Sequence, residues 1–269
     1  LRQHLVAEQI EARGVRDPLV LAAMRRVPRE LFVPKKLRQA AYEDNPLPIG
    51  SGQTISQPYI VAFMVEALAL RGGEKVLEIG AGSGYAAAVL AEIAGEVFTI
   101  ERIGQLAEMA ATNLEEAGCD NVHVRHADGT EGWVDEAPFD AILVSAGAPD
   151  IPKSLERQLA VGGRMVVPVG KNPRAQELIR VTRVDEDEFE QEDIADVRFV
   201  PLIGKEGWES TDDEWQTRPP RVVQARPAVS VSTPELIAKV GEAFDKLEDA
   251  DLEPLLRRIG KSRVVLIGE

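Results

Sequence analysis

At 269 residues the chain is long enough for one large domain, or for one domain with an appendage, and an apolar fraction of 44% supplies a substantial core. A formal charge of −14 argues against a general nucleic-acid binder, whose affinity rests on neutralising phosphates, yet it permits an anionic ligand held by local N–H groups and hydroxyls. No run approaches the roughly 18 apolar residues of a membrane span, the N-terminus lacks the apolar core of a signal peptide, and the single cysteine, Cys119, excludes an internal disulfide and fits a reducing cytoplasm.

The first 45 residues read as helices. Leu5, Ile10 and Val15, then Leu19, Val20, Ala23 and Met24, fall on helical faces broken at Gly14 and at Asp17-Pro18. "VPRELFVP" follows, a short apolar turn bracketed by Pro28 and Pro34. Residues 46–57 read as a polar loop containing "GSGQTIS", and Pro58 suits the first turn of a helix running to about Leu70. Strand and helix then alternate: "KVLEIG", an Ala-rich helix over 84–94, "EVFTIE", and the amphipathic "GQLAEMAATNLEEAG" closed by Gly118. "NVHVRHAD", "FDAILVSA" and "GRMVVPVG" supply three more strands, with "PKSLERQLAVGG" a helix between the last two. Regular βα alternation predicts a doubly wound, mostly parallel α/β sheet with its ligand at the carboxyl ends of the strands. Past Gly170, "QELIRVTRV" and "ADVRFVPL" predict an antiparallel pair joined by a solvated acidic tip, "DEDEFEQED".

The chemistry concentrates at the strand ends. "EIGAGSGY" sets Gly80, Gly82 and Gly84 at alternate positions after the first βα strand, with Tyr85 where a dinucleotide fingerprint requires glycine. A ligand approaching this backbone and a tight turn without a ligand both fit the glycines alone. Glu101 closes the next strand, where a carboxylate can accept from both hydroxyls of a ribose. Asp128 in "HADG" can accept from the exocyclic amine of an adenine. In that order the three features suit S-adenosylmethionine better than NAD. Ser56 and Thr54 in the polar loop have no His or Cys within ten residues to activate them. His4, His123 and His126 lack metal-ligand spacing, so no metal is expected, and Trp133 either covers an adenine or packs.

Through "PLPIGSGQTISQPYIVAFMVEAL", "VLEIGAGSGY", "RHADG", "PFDAILVSAGAPDIPKSLERQLAVGGRMVVPVG" and "VRFVPL" the chain resembles the bacterial protein-L-isoaspartate (D-aspartate) O-methyltransferases over roughly residues 1–206. The resemblance implies a class I S-adenosylmethionine-dependent fold and, as substrates, proteins and peptides carrying L-isoaspartyl or D-aspartyl residues. It implies catalytic roles for Ser56 and Thr54, with Ile55, Ser56, Gln57, Pro58 and Tyr59 meeting the substrate. Gln53, Glu78, Gly80, Gly82, Ser83, Gly84, Glu101, Arg102, Asp128 and Gly129 would hold the cofactor. A carboxylate acceptor is ionised at neutral pH, so the loop needs to orient it rather than deprotonate it. A same-fold methyltransferase for a small carboxylate and a non-catalytic cofactor-binding module are the alternatives.

From Trp208 the composition becomes polar and proline-containing, which predicts a linker over 207–232. A helix opening at Thr233-Pro234 starts a C-terminal extension over 233–269. Its end, "LLRRIGKSRVVLIGE", is similar to the opening of erythromycin-esterase-like domains, and a strand-like ending at Glu269 predicts continuation into such a fused domain.

Overall fold

A computed structural model describes residues 1–172 and 175–209. The N-terminal helix α1 (Arg2–Leu5) continues through a π-helical stretch and a 3-10 turn to Gly14, whose φ of 109° ends it. Helix α2 (Pro18–Arg26) starts where proline demands: Asp17 caps it by accepting from Leu19 N (2.8 Å) and Val20 N (3.1 Å), with Pro18 in the first turn. Two 3-10 turns lead to strand β1 (Leu47–Gly50), paired antiparallel with β2 (Gln53–Ile55), and Pro58 opens helix α3 (Pro58–Leu68).

Next come β3 (Lys75–Ile79), α4 (Tyr85–Ala91), β4 (Glu96–Glu101), α5 (Gly104–Ala117), β5 (Val122–His126) and β6 (Phe139–Val144). Helix α6 (Lys153–Gln158) and strands β7 (Leu159–Asn172), β8 (Ala175–Arg183) and β9 (Phe189–Val197) complete the described elements. The seven-stranded sheet has the order β5-β4-β3-β6-β7-β8-β9, parallel from β5 to β7 and antiparallel beyond. Strand order runs outward in both directions from β3 and β6, so a switch point lies between those two strands.

Alternation along β3 and β4 feeds two cores. Val76 and Val97 pack with Val65 of α3, Leu90 of α4 and Leu106 of α5; Leu77, Ile79, Phe98 and Ile100 face Leu155 of α6. A sheet covered on both faces explains why these strands read as nearly continuous apolar runs. Each fully buried Val, Leu or Ile here contributes about 1.5–3 kcal/mol. No helix among the described residues is long and apolar enough to cross a membrane.

Three elements differ from the sequence expectation. The segment 46–57 is a hairpin, with Leu47 paired to Ile55 and its turn carrying positive φ at Gly50, Ser51 and Gly52. Helix α6 stops at Gln158, and "LAVGG" is already extended in β7, whose Phe139↔Leu159 pairing draws it into the sheet. The acidic run is not a tip: β9 begins at Phe189 and includes Glu190, Gln191, Glu192 and Asp193, leaving only residues 184–188 as the turn. As an edge strand it can carry charges, and Arg180 of β8 pairs with Glu192 across it. Gly207 and Trp208, placed by composition in the linker, fold back: Trp208 N donates to Leu202 O (2.8 Å) and its indole N–H to Gly147 O (3.0 Å). Residues 210–232 of the expected linker and the extension over 233–269 lie outside the described residues.

Candidate active site

Register brings the carboxyl ends of four parallel strands level. Ile79 of β3 pairs with Ile100 of β4 and Val144 of β6, and Glu101 with His126 of β5. The residues that follow therefore share one edge: Gly80, Arg102, Ala127 and Ser145, with Asp128 one residue beyond Ala127. At the switch point Gly80, Gly82 and Gly84 all adopt positive φ (91°, 56° and 94°), which a side chain would resist. Gly80 N donates to Ile100 O (2.8 Å), and Ser145 N to Ile79 O (2.8 Å).

Glu101, 7% exposed, organises this turn by accepting from Gly82 N and Ile103 N, both at 2.9 Å. A carboxylate offers about four acceptor sites, so two remain for a ligand's hydroxyls. Asp128 caps the 3-10 turn Gly129–Glu131 through Thr130 N (2.9 Å) and Thr130 Oγ1 (2.8 Å), and accepts from Lys205 N (2.8 Å). Three of its sites are used, and one remains. Gly129 packs so closely that a Cβ would lie 2.5 Å from Ile79 Cγ2. Arg102 is exposed, and its carbonyl bonds His126 Nε2 (3.0 Å).

Glu78 sits fully buried on β3, where Thr99 Oγ1 donates to its Oε2 (2.6 Å). Burial pushes its pKa up to about 8, the Glu101 charge adding to the effect and the Thr99 hydrogen bond opposing it. Its Oε1 and the Ser83 hydroxyl are buried without a protein partner, and both residues line the cleft described next. Buried polar atoms are ordinarily hydrogen-bonded, so these two set this part of the cleft apart from the rest of the core.

The hairpin and the glycine turn line one cleft. Thr54, Ile55 and Ser56 stand on one side; Glu78, Gly80, Gly82 and Ser83 stand on the other. Ile49 of β1 ties the two sides together, its Cδ1 lying 3.2 Å from where a Gly82 Cβ would be. The hydroxyls of Thr54 and Ser56 bond no other described residue. Gln57 and Tyr59 tie the start of α3 to the segment before the hairpin: Asp44 accepts from Gln57 Nε2 (2.7 Å) and Tyr59 N (2.9 Å), and pairs with Arg13 (2.7 Å). Pro58 is buried at the helix start.

Of the residues picked out in the sequence, seven line the cleft. Gly84, Glu101, Arg102, Asp128 and Gly129 are not among the lining residues: Gly84 follows Ser83, Glu101 reaches the lining through Gly82 N, and Arg102, Asp128 and Gly129 follow the ends of β4 and β5. Gln53 starts β2, and Gln57, Pro58 and Tyr59 form the start of α3. Trp133 packs edge-on against Phe98 at 5.3 Å, beside Arg125. Val61, Ala81, Tyr85, Ala86 and Ser145 also line the cleft, and the sequence reading did not select them. Arg29 and Asp44 escaped it too. The signal for Arg29 was available: a charged residue inside the apolar turn "VPRELFVP". Among the described residues no group of His, Cys, Asp and Glu could hold a metal ion.

Residues 1–207 match the family described as protein-L-isoaspartate (D-aspartate) O-methyltransferase. The chain is 63% identical over 223 residues to protein-L-isoaspartate O-methyltransferase 1 of Rhodopseudomonas palustris strain HaA2, covering 83% of this chain and 91% of that one. It is 60% identical over 208 residues to protein-L-isoaspartate O-methyltransferase 2 of Marinobacter nauticus, covering 77% and 95%. A solved protein-L-isoaspartate O-methyltransferase superposes with a TM-score of 0.70 at 30% identity, over 77% of this chain and 67% of that one. A Plasmodium falciparum crystal structure, described as a beta-aspartate methyltransferase in complex with S-adenosyl-L-homocysteine, gives 0.66 at 26% identity, over 75% and 98%. With its glycine turn at the switch point, its polar hairpin across the cleft and these relatives spanning nearly the whole described fold, the chain belongs to the protein-L-isoaspartate (D-aspartate) O-methyltransferase family.

Proposed function

We propose that the chain transfers a methyl group from S-adenosylmethionine to the free carboxylate of L-isoaspartyl residues, and of D-aspartyl residues, in damaged proteins, which starts repair through a succinimide. The observation that carries this reading is the single cleft lined by both the Thr54–Ser56 segment and the glycine turn. Family membership of residues 1–207 gives the reaction type.

The cleft fits the cofactor chemically. Glu78 and Ser83 offer unpartnered polar atoms, the glycine turn admits close approach, and Glu101 keeps two acceptor sites for a ribose diol. Gly80, Gly82, Gly84, Arg102 and Gly129 would complete the cradle, with Gln53 at the hairpin and one free site on Asp128 for an amine. Bound S-adenosylmethionine supplies a methyl on a positively charged sulfur, an activated electrophile.

What the chain adds is placement. The acceptor, with a pKa near 4, arrives as an anion at neutral pH, so no side chain needs to take a proton. Ser56 Oγ donates to that carboxylate and Thr54 assists, fixing the attacking oxygen in line with the methyl. Orientation of this kind can supply about 7–11 kcal/mol of a barrier. The methyl ester is a better leaving group than the carboxylate; the neighbouring backbone nitrogen closes a succinimide, and water reopens it partly to normal aspartate.

Incubation with labelled S-adenosylmethionine and an isoaspartyl peptide, beside its aspartyl twin, tests the reading. Label is expected on the isoaspartyl peptide alone. Equal labelling of both, or of neither, would overturn it. The similarity of residues 255–269 to erythromycin-esterase-like domains supports a fused second domain, and the lone cysteine supports a cytoplasmic setting.

A further inference from the structure

Arg29 is the largest fully buried side chain of the described fold, at 0% exposure. It comes from the 3-10 turn Arg29–Phe32, and its guanidinium spends its donors on backbone carbonyls rather than on a carboxylate. Nη1 donates to Ala41 O (2.5 Å), and Nη2 to Asn45 O (3.0 Å) and Ser56 O (3.2 Å). Its Cζ lies 5.7 Å from the ring centroid of Tyr85, a cleft-lining residue just after the glycine turn. Nε has no partner.

Burying a guanidinium is costly, and here desolvation dominates, pulling its pKa down while Tyr85, Asp44 and Tyr42 oppose the shift. An apolar residue of similar volume would fill the space without that cost, so the interactions must matter to something besides packing. What they join is specific. One planar fork ties the carbonyl of Ser56 to the segment 41–45, and the next residues, Gln57 and Tyr59, are held to Asp44 in that same segment. Carbonyl and side chain of Ser56 share one Cα, so fixing the carbonyl sets the direction from which its hydroxyl enters the cleft.

We propose that Arg29 is a positioning residue for methyl transfer: its buried guanidinium clamps the Ser56 carbonyl against the 41–45 segment and so aims the Ser56 hydroxyl at the acceptor carboxylate. This rests on the reading of Ser56 as the group that orients the acceptor. Lysine at position 29 keeps the charge but loses the two-nitrogen fork that reaches three carbonyls at once.

A double-variant cycle on the full chain distinguishes aim from scaffolding. Wild type, Arg29→Lys, Ser56→Ala and the double variant are compared for kcat on an isoaspartyl peptide at saturating S-adenosylmethionine. Cofactor Kd is measured by calorimetry, and every assay is run well below each variant's Tm. Arg29→Lys should lower kcat by about tenfold or more, with cofactor Kd held within about twofold. In the Ser56→Ala background the same change should cost less than about twofold, because the group being aimed is gone. Equal fractional losses in both backgrounds would mean a general structural role and overturn the proposal. So would wild-type kcat in Arg29→Lys. A Ser56→Ala variant with undiminished kcat would sink the orienting role of Ser56 and this proposal together. If Arg29→Lys does not fold, Arg29→Gln, which keeps one amide donor, goes through the same cycle with the same criteria.

Discussion

Two carboxylates 23 residues apart, Glu78 and Glu101, sit on neighbouring strands with different hydrogen-bond partners. Glu101 is satisfied by two backbone N–H groups, whereas Glu78 has one hydroxyl donor and no solvent. Burial holds Glu78 protonated up to about pH 8, while in the unfolded chain it ionises near its ordinary value of 4.5. Between those values the folded state binds a proton that the unfolded state has released. The stability this residue contributes is therefore complete below about pH 4.5 and is lost as the pH rises toward 8. Glu78→Gln cannot ionise, so its Tm relative to wild type, measured without cofactor, should climb across that window. A constant difference from pH 5 to about 8 would show that Glu78 is ionised throughout. The sequence displayed this residue as part of "EIGAGSGY", and likewise Ser56 in "QTISQPY". It did not display Ser145 or Asp44 as partners, because only the strand register and the fold of the first 45 residues bring them there.

Between residue and fold, the elements that position the cleft are short, and their periodicity is correspondingly weak. Strand β2 has three residues, Gln53–Ile55, and β1 has four, too few to alternate visibly, so the hairpin passes for a polar loop. The β9 strand hides behind its charges: an edge strand needs only occasional apolar contacts, and Glu190, Glu192 and Asp193 are tolerated there. Strands β3, β4 and β6, buried on both faces, are legible because burial writes continuous apolar runs. Close packing of elements can be tested at Gly129, which begins the 3-10 turn after β5 and leaves 2.5 Å between a Cβ and Ile79 Cγ2 of β3. Gly129→Ala should cost about 1–3 kcal/mol by overpacking. The urea midpoint should fall with the slope unchanged. In an Ile79→Ala background, which removes the opposing methyl, the added cost should shrink. An unaltered midpoint for Gly129→Ala alone would contradict the packing described.

At the scale of the molecule, a chain of net charge −14 handles an anionic acceptor by local means. Backbone N–H groups, hydroxyls and a switch point between β3 and β6 create the site, and among the described residues β9 and the turn before it carry a dense run of acidic side chains. The βα alternation predicted the doubly wound sheet and the edge at which the site lies; register and burial then decided which residues meet there. Methyl transfer at this site depends on one chemical condition, that the acceptor is already ionised and the Ser56 hairpin orients it without removing a proton. The direct measurement is the single-turnover rate of methyl transfer to an isoaspartyl peptide in H2O and in D2O at matched acidity. With no proton in flight the two rates should agree closely. A rate lower by about twofold or more in D2O would place a proton transfer in the methyl-transfer step and contradict the account.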